Sequence, residues 1–120
     1  MKYMLLIYDG EQGRDKMTEA ERSQLMADYM QFSKEIVASG HYKAGSQLQP
    51  TATATAVRVR DGKRLITDGP FAETHEQFGG YFLLNCKDLD EALAWAAKLA
   101  GLVSVADYGS IEVRPTWNQA

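Results

Sequence analysis

Lys2-Tyr3-Met4-Leu5-Leu6-Ile7-Tyr8 decides the fold. Residues alternate sides along a strand, and here both sides are apolar: Tyr3, Leu5 and Ile7 on one, Met4, Leu6 and Tyr8 on the other. A strand of this kind lies inside a sheet covered on both faces. A chain of 120 residues makes one domain, residues 1–120, with a core that needs no disulfide or metal. Its helices cover one face of such a sheet. The simplest cover for the other is a second copy of the chain.

Outward from that strand, Asp9 to Met17 reads as a polar loop. Thr18-Glu19-Ala20-Glu21 then fits a capping box that opens a helix. Leu25, Tyr29, Phe32 and Ile36, with Met26, Met30 and Val37, follow helical spacing, and Gly40 suits the left-handed stop after Ser39. A short strand over 41–49 ends at Pro50. The segment Ala56-Val57-Arg58-Val59-Arg60, the turn Asp61-Gly62 and the return over 63–67 predict a hairpin. A second interior strand runs from Gly80 to Cys86. Asp88 to Glu91 caps a second helix with Leu89, Ala92, Leu93, Ala96 and Leu99 inward and Gly101 as its stop. Residues 102–107 read as an irregular connection, and 108–114 as the last strand. The sum is an α+β chain, ferredoxin-like β-α-β-β-α-β with an additional hairpin.

Composition narrows the function. The net charge is −3 with dispersed basic residues, so no nucleic-acid partner is expected. No apolar run approaches the ~20 residues of a membrane span, and no membrane partner is expected. The single Cys86 fits a reducing, cytoplasmic home. The histidines, His41 and His75, lack metal-ligand spacing, so no metal centre is expected.

The chemically suggestive stretch is Asp68-Gly69-Pro70-Phe71-Ala72-Glu73-Thr74-His75-Glu76-Gln77-Phe78-Gly79-Gly80. His75 titrates near neutrality and is flanked by Glu73 and Glu76, which suits a general acid–base; a solvated loop histidine is the bland alternative. Glu73 and Asp68 are candidate catalytic carboxylates, and Asp68 equally suits bonding the turn backbone. Arg58 suits an anionic group on a substrate, against the alternative of a solvated strand face. Phe71, Tyr81 and Tyr29 suit an aromatic-binding pocket, against a core role.

The string Asp68-Gly69-Pro70-Phe71-Ala72-Glu73-Thr74, followed by Gly79-Gly80-Tyr81, resembles the DGPF group of the YCII-related family. The likeness extends to Lys2–Tyr8, Leu48-Gln49-Pro50, Asp88–Ala92 and Gly109–Pro115. It implies a ferredoxin-like subunit assembling as a homodimeric α+β barrel. It also implies kinship with small enzymes acting on aromatic or quinone-like compounds, and bacterial gene neighbourhoods with alternative sigma factors. The better-known branch pairs a helix-1 histidine with an aspartate after the second helix. Those places fall near Tyr29 and Leu99-Ala100, so that pair is not matched. The expected function is a small-molecule pocket beside the Asp68–His75 loop. It would take an aromatic or carbonyl-bearing ligand, with cofactor-free proton transfer of the isomerase or lyase type. A non-enzymatic regulatory partner and a loop serving only the dimer stay open beside it.

Overall fold

In the computed structural model, which describes residues 1–70, 76–103 and 109–117 without the side chains of Gln12 and Arg14, the first strand is central. β1 (Lys2–Asp9) pairs antiparallel with β5 (Gln77–Asn85) on one side and β6 (Ser110–Pro115) on the other. β2 (Tyr42–Gln47) lies beyond β5, giving the order β2-β5-β1-β6. β1 and β2 are both antiparallel to β5 and hence parallel to each other, joined through α2 (Glu19–Ala38). β5 and β6 flank β1 in the same relation, joined through α3 (Leu89–Val103). Two interlocked split βαβ units of this kind are the ferredoxin-like plan.

The core lies between the sheet and the two helices. Tyr3, Leu5, Ile7, Phe82 and Leu84 pack against Phe32 and Ile36 of α2 and Ala92, Ala96 and Leu99 of α3. Phe32 makes edge contacts with Phe82 at 5.4 Å and Trp95 at 5.9 Å between ring centres, tying both helices to the sheet. On the opposite sheet face Met4, Leu6, Tyr8 and Leu83 are half-buried, and neither α2 nor α3 packs there.

Several boundaries differ from the sequence expectation. A one-turn helix, α1 (Glu11–Asp15), replaces the polar loop. β5 starts at Gln77, three residues before Gly80, because Tyr8 and Asp9 extend β1 to pair with Phe78 and Gln77. In α3, Leu89 and Leu93 are exposed; the inward stripe is Ala92, Ala96, Leu99 and Val103. Small alanines let this helix lie close to the sheet. Gly101 does not stop it, because burial of Val103 holds the last turn. Met26, Met30 and Val37 of α2 are exposed, and only Phe32 and Ile36 are buried. Ser104 to Asp107 and Tyr108, read as a connection and the start of the last strand, lie outside the described residues.

β3 (Thr55–Arg60) and β4 (Lys63–Asp68) form a separate two-stranded ribbon. Its turn has positive φ at both Asp61 (52°) and Gly62 (74°), as an Asp-Gly hairpin requires. Nearly every residue of this ribbon is exposed. The Cα radius of gyration, 16.2 Å, exceeds the value of about 14 Å for a compact chain of this length, as a projecting arm dictates.

Cys86 is buried just past β5, its amide donating to the Met1 carbonyl at 2.8 Å. Burial pushes its thiol above the ordinary range, and the Glu91 carboxylate adds to the rise. A neutral, enclosed thiol is a poor nucleophile. Native protein at pH 8 is therefore expected to leave Ellman's reagent unreacted and to release one equivalent of thiolate colour only on denaturation. Release from native protein at the rate of free cysteine would refute this burial.

Candidate functional site

Among the described residues, concavities open beside the sheet. The first, about 340 Å³, lies on the helix side where β1 ends. Ile7 and Val103 line its apolar part, Leu25 and Tyr29 its α2 wall, and Asp9 and Arg22 bring charge to it. The sequence builds it locally. Thr18 Oγ1 accepts from the Glu21 amide at 3.1 Å, and Glu21 Oε1 accepts from the Thr18 amide at 3.2 Å. This fixes where α2 begins and places Leu25 and Tyr29, one turn apart, along one side. Arg22 Nη2 donates to the Asp15 carbonyl at 3.2 Å, tying α2 to α1.

A polar clasp closes the opposite side. Glu11 accepts from the Thr51 amide at 2.8 Å through Oε1 and from the Thr51 hydroxyl at 2.9 Å through Oε2. The Glu11 amide donates to Gln77 Oε1 at 3.1 Å. α1, the single 3-10 turn Thr51–Thr53 and β5 are thereby joined beside the cavity. The two adjacent glycines have separate work. A Cβ on Gly79 would stand 3.2 Å from Asp9 Oδ1, and one on Gly80 would stand 2.7 Å from the Ser46 carbonyl of β2. Gly79 leaves room for the Asp9 carboxylate, and Gly80 for the neighbouring strand.

The second concavity is an open cleft of about 960 Å³ between the arm and the body. Tyr8 and Phe78, with ring centres 5.6 Å apart, face it from the body. Val57 and Arg58 face it from the arm, with Gly69, Pro70 and Glu76 at its base. Glu76 accepts from the Gly109 amide at 2.9 Å and the Ser110 hydroxyl at 3.0 Å, which ties this base to β6. A third concavity, about 230 Å³, shares Ile7, Tyr29 and Gln47 with the first, so Tyr29 stands between two parts of one groove under α2.

Glu73, His75 and Phe71 lie outside the described residues. Asp68 closes β4, exposed, opposite Thr55 in the ladder, and the Gly69 amide donates to the Ala54 carbonyl at 2.6 Å; the Phe71 end of the turn that Asp68 was read as bonding lies outside the described residues. Gly69 has φ 95°, and its bond to Pro70 is trans. Arg58 borders the open cleft, Tyr29 the groove under α2, and Tyr81 the third concavity. The two tyrosines are thus brought to one groove, and Arg58 stands apart from them on the arm. Leu99 is fully buried in the core.

Asp9, Glu11 and Arg22 were not legible as site residues. Their only local signal is polarity in a stretch that reads as a loop, and the cavity they border is made by segments far apart in sequence. His41 has a structural post. Its Nε2 is 2.9 Å from Glu91 Oε1 and its Nδ1 2.9 Å from Ser39 Oγ, which links the end of α2 to the start of α3. Among the described residues no group of three or more His, Cys, Asp or Glu side chains is placed to hold a metal ion. No described helix is long and apolar enough to cross a membrane.

The chain is similar to an uncharacterized protein of Rhizobium meliloti (strain 1021), with 36% identity over 115 residues, 96% of this chain and 91% of that protein. The model of the YCII-related domain matches residues 1–118, so the loop, the arm and both helices all fall within the match. On this breadth of agreement, the chain belongs to the YCII-related family.

Proposed function

We propose that this is a homodimeric small-molecule-binding protein whose ligand lies in the groove under α2. The observation that carries the reading is the cavity of about 340 Å³, with apolar walls and a few polar groups at one end. That is the usual make-up of a small-molecule site. Ile7, Leu25 and Val103 suit an aromatic body, and the Tyr29 and Arg22 donors suit a carbonyl or carboxylate oxygen. Asp9 supplies a carboxylate at the same end, which is the equipment for cofactor-free proton transfer next to a carbonyl. The uncovered apolar face of the sheet supports the dimer.

A panel of aromatic ketones, quinones and aromatic carboxylates, read by thermal shift, tests this. A ligand at 100 times its Kd stabilises by about 2.7 kcal/mol. Leu25→Trp, which fills the cavity, is expected to abolish the shift, and Arg58→Ala to leave it intact. The reverse pattern would move the site to the cleft beside the Asp68–His75 loop. That second reading is favoured by Arg58, Pro70 and Glu76 bordering one opening. On that reading Asp68 sets the loop, and Glu73 or His75 as base and Phe71 as an aromatic contact, all three outside the described residues, are the side chains to test. Exchange of the ligand's α-proton for deuterium separates the enzyme from a binding or regulatory protein. Glu73→Gln and His75→Gln would each lower that exchange if the second reading holds. No shift with any member of the panel would sink the ligand reading.

A further inference from the structure

The groove under α2 is longer than the cavity of about 340 Å³ at its polar end. A second cavity of about 230 Å³ continues it past Tyr29 toward β2. Ile7 and Gln47 of the strands and Tyr29 of α2 border both, so the two meet there. One stripe of α2 forms the wall along the whole length. Arg22, Met26, Tyr29, Ser33 and Val37 recur every three or four residues, which places them on one helix face over about 22 Å. Met26 and Val37 are apolar yet 55% and 56% exposed, as edges of an open groove rather than parts of the core.

The two cavities differ in charge. Among the described residues, Asp9, Glu11, Asp15 and Arg22 line the first, and no charged side chain lines the second. Ile7, Val37, Tyr42 and Phe82 give the second an apolar lining. A ligand that fills both therefore has a polar end and an uncharged, apolar end. Three carboxylates beside one guanidinium disfavour a further anion, so a neutral carbonyl suits the Arg22 and Tyr29 donors better than a carboxylate does. Size decides the rest. An apolar cavity of about 150 Å³ takes benzene, so the first cavity holds a ring with its carbonyl and the second is left for a substituent. The groove narrows where the cavities meet at Tyr29, which suits a linear chain better than another ring.

We propose that the groove takes a neutral aryl ketone carrying a linear alkyl tail, with the carbonyl at Arg22 and the tail running past Tyr29 into the second cavity. The proposal rests on the ligand reading above and adds to it the chemical class of the ligand. Tyr29, at the junction, and Ser33, one turn further along α2, then set which tails are accepted, Ser33 as the small side chain that leaves the second cavity open. The far end of the tail reaches the exposed Val37, where further length emerges into water.

Calorimetric titration of the full chain with acetophenone and its 4-alkyl derivatives, from methyl to hexyl, tests this. The expected result is a Kd that falls about three- to fourfold per methylene, the scale of burying one such group, and levels off once the tail clears Val37. Ser33→Trp, which fills the second cavity, is expected to flatten the series. Binding with no dependence on tail length in the wild type would overturn the tail and leave the ligand reading standing. A length dependence that Ser33→Trp does not alter would send the tail elsewhere and equally overturn it. Tighter binding of the matching 4-alkylbenzoates would overturn the neutral head. No binding by the ketone series while a quinone or carboxylate of the wider panel binds would overturn the proposed class alone, and no binding by any member of either set would overturn both readings. Where Ser33→Trp fails to fold, Val37→Trp, at an exposed position, decides. It should end the gain at a shorter tail, and a series identical to that of the wild type refutes the proposal.

Discussion

Ile36→Ala is expected to destabilise the protein by about 3–4 kcal/mol, the upper part of the range for truncating a buried aliphatic side chain. α2 is 20 residues long, yet Phe32 and Ile36 are its only buried residues. Ile36 has no exposure at all, so its removal takes away one of two anchors and leaves a cavity against the sheet. For a domain of this size the Tm falls by roughly 10–15 °C. Met30→Ala, on the exposed side of the same helix, is the control and should change stability by less than about 0.5 kcal/mol. Because Leu25 and Tyr29 line the groove from α2, loosening the helix should also weaken ligand binding. Chemical denaturation of the two variants checks the first part. A loss below about 1 kcal/mol for Ile36→Ala would mean that α2 is held by other contacts.

Gly80→Ala is expected to cost about 2 kcal/mol although it adds a single methyl group. A Cβ there would stand 2.7 Å from the Ser46 carbonyl oxygen and 3.3 Å from Gln47 Cα. Both belong to the backbone of β2 or its end, so no side chain can rotate away. Relief requires the edge strand to shift, which weakens the β2–β5 ladder that pairs Ser46 with Tyr81 and Gln47 with Gly80. The neighbouring Gly79→Ala meets only the Asp9 carboxylate, a side chain that can give, and should cost less. Equal losses at the two positions would contradict this division of labour between the glycines.

Much of the fold is legible in the residues. The apolar character of Lys2–Tyr8 on both sides marks β1 as interior, and Thr18 with Glu21 marks the start of α2. Asp61-Gly62 marks the turn, with the backbone angles its residue types favour. The errors come from tertiary context. Leu89 and Leu93 carry the helical spacing of core residues, but the close approach of α3 to the sheet selects the alanines instead. α1 is a single turn secured by Gln77 and Thr51, partners 40 to 66 positions away, so no local pattern announces it. The site was less legible for the same reason. Tyr29 was read as an aromatic with a choice between core and pocket, and it borders the groove. Asp9 and Arg22 join it there only because β1 and α2 cross.

The most direct test of the ligand site is amide chemical-shift mapping of the 15N-labelled protein with the strongest binder from the thermal-shift panel. The groove under α2 predicts saturable perturbations at Ile7, Gly10, Leu25, Met26 and Tyr29, residues from the end of β1 and from α2 that line that cavity together. Perturbations confined to Thr55–Arg58, Gly69 and Glu76–Phe78, with the groove amides unmoved, would contradict it and place the ligand in the cleft beside the arm.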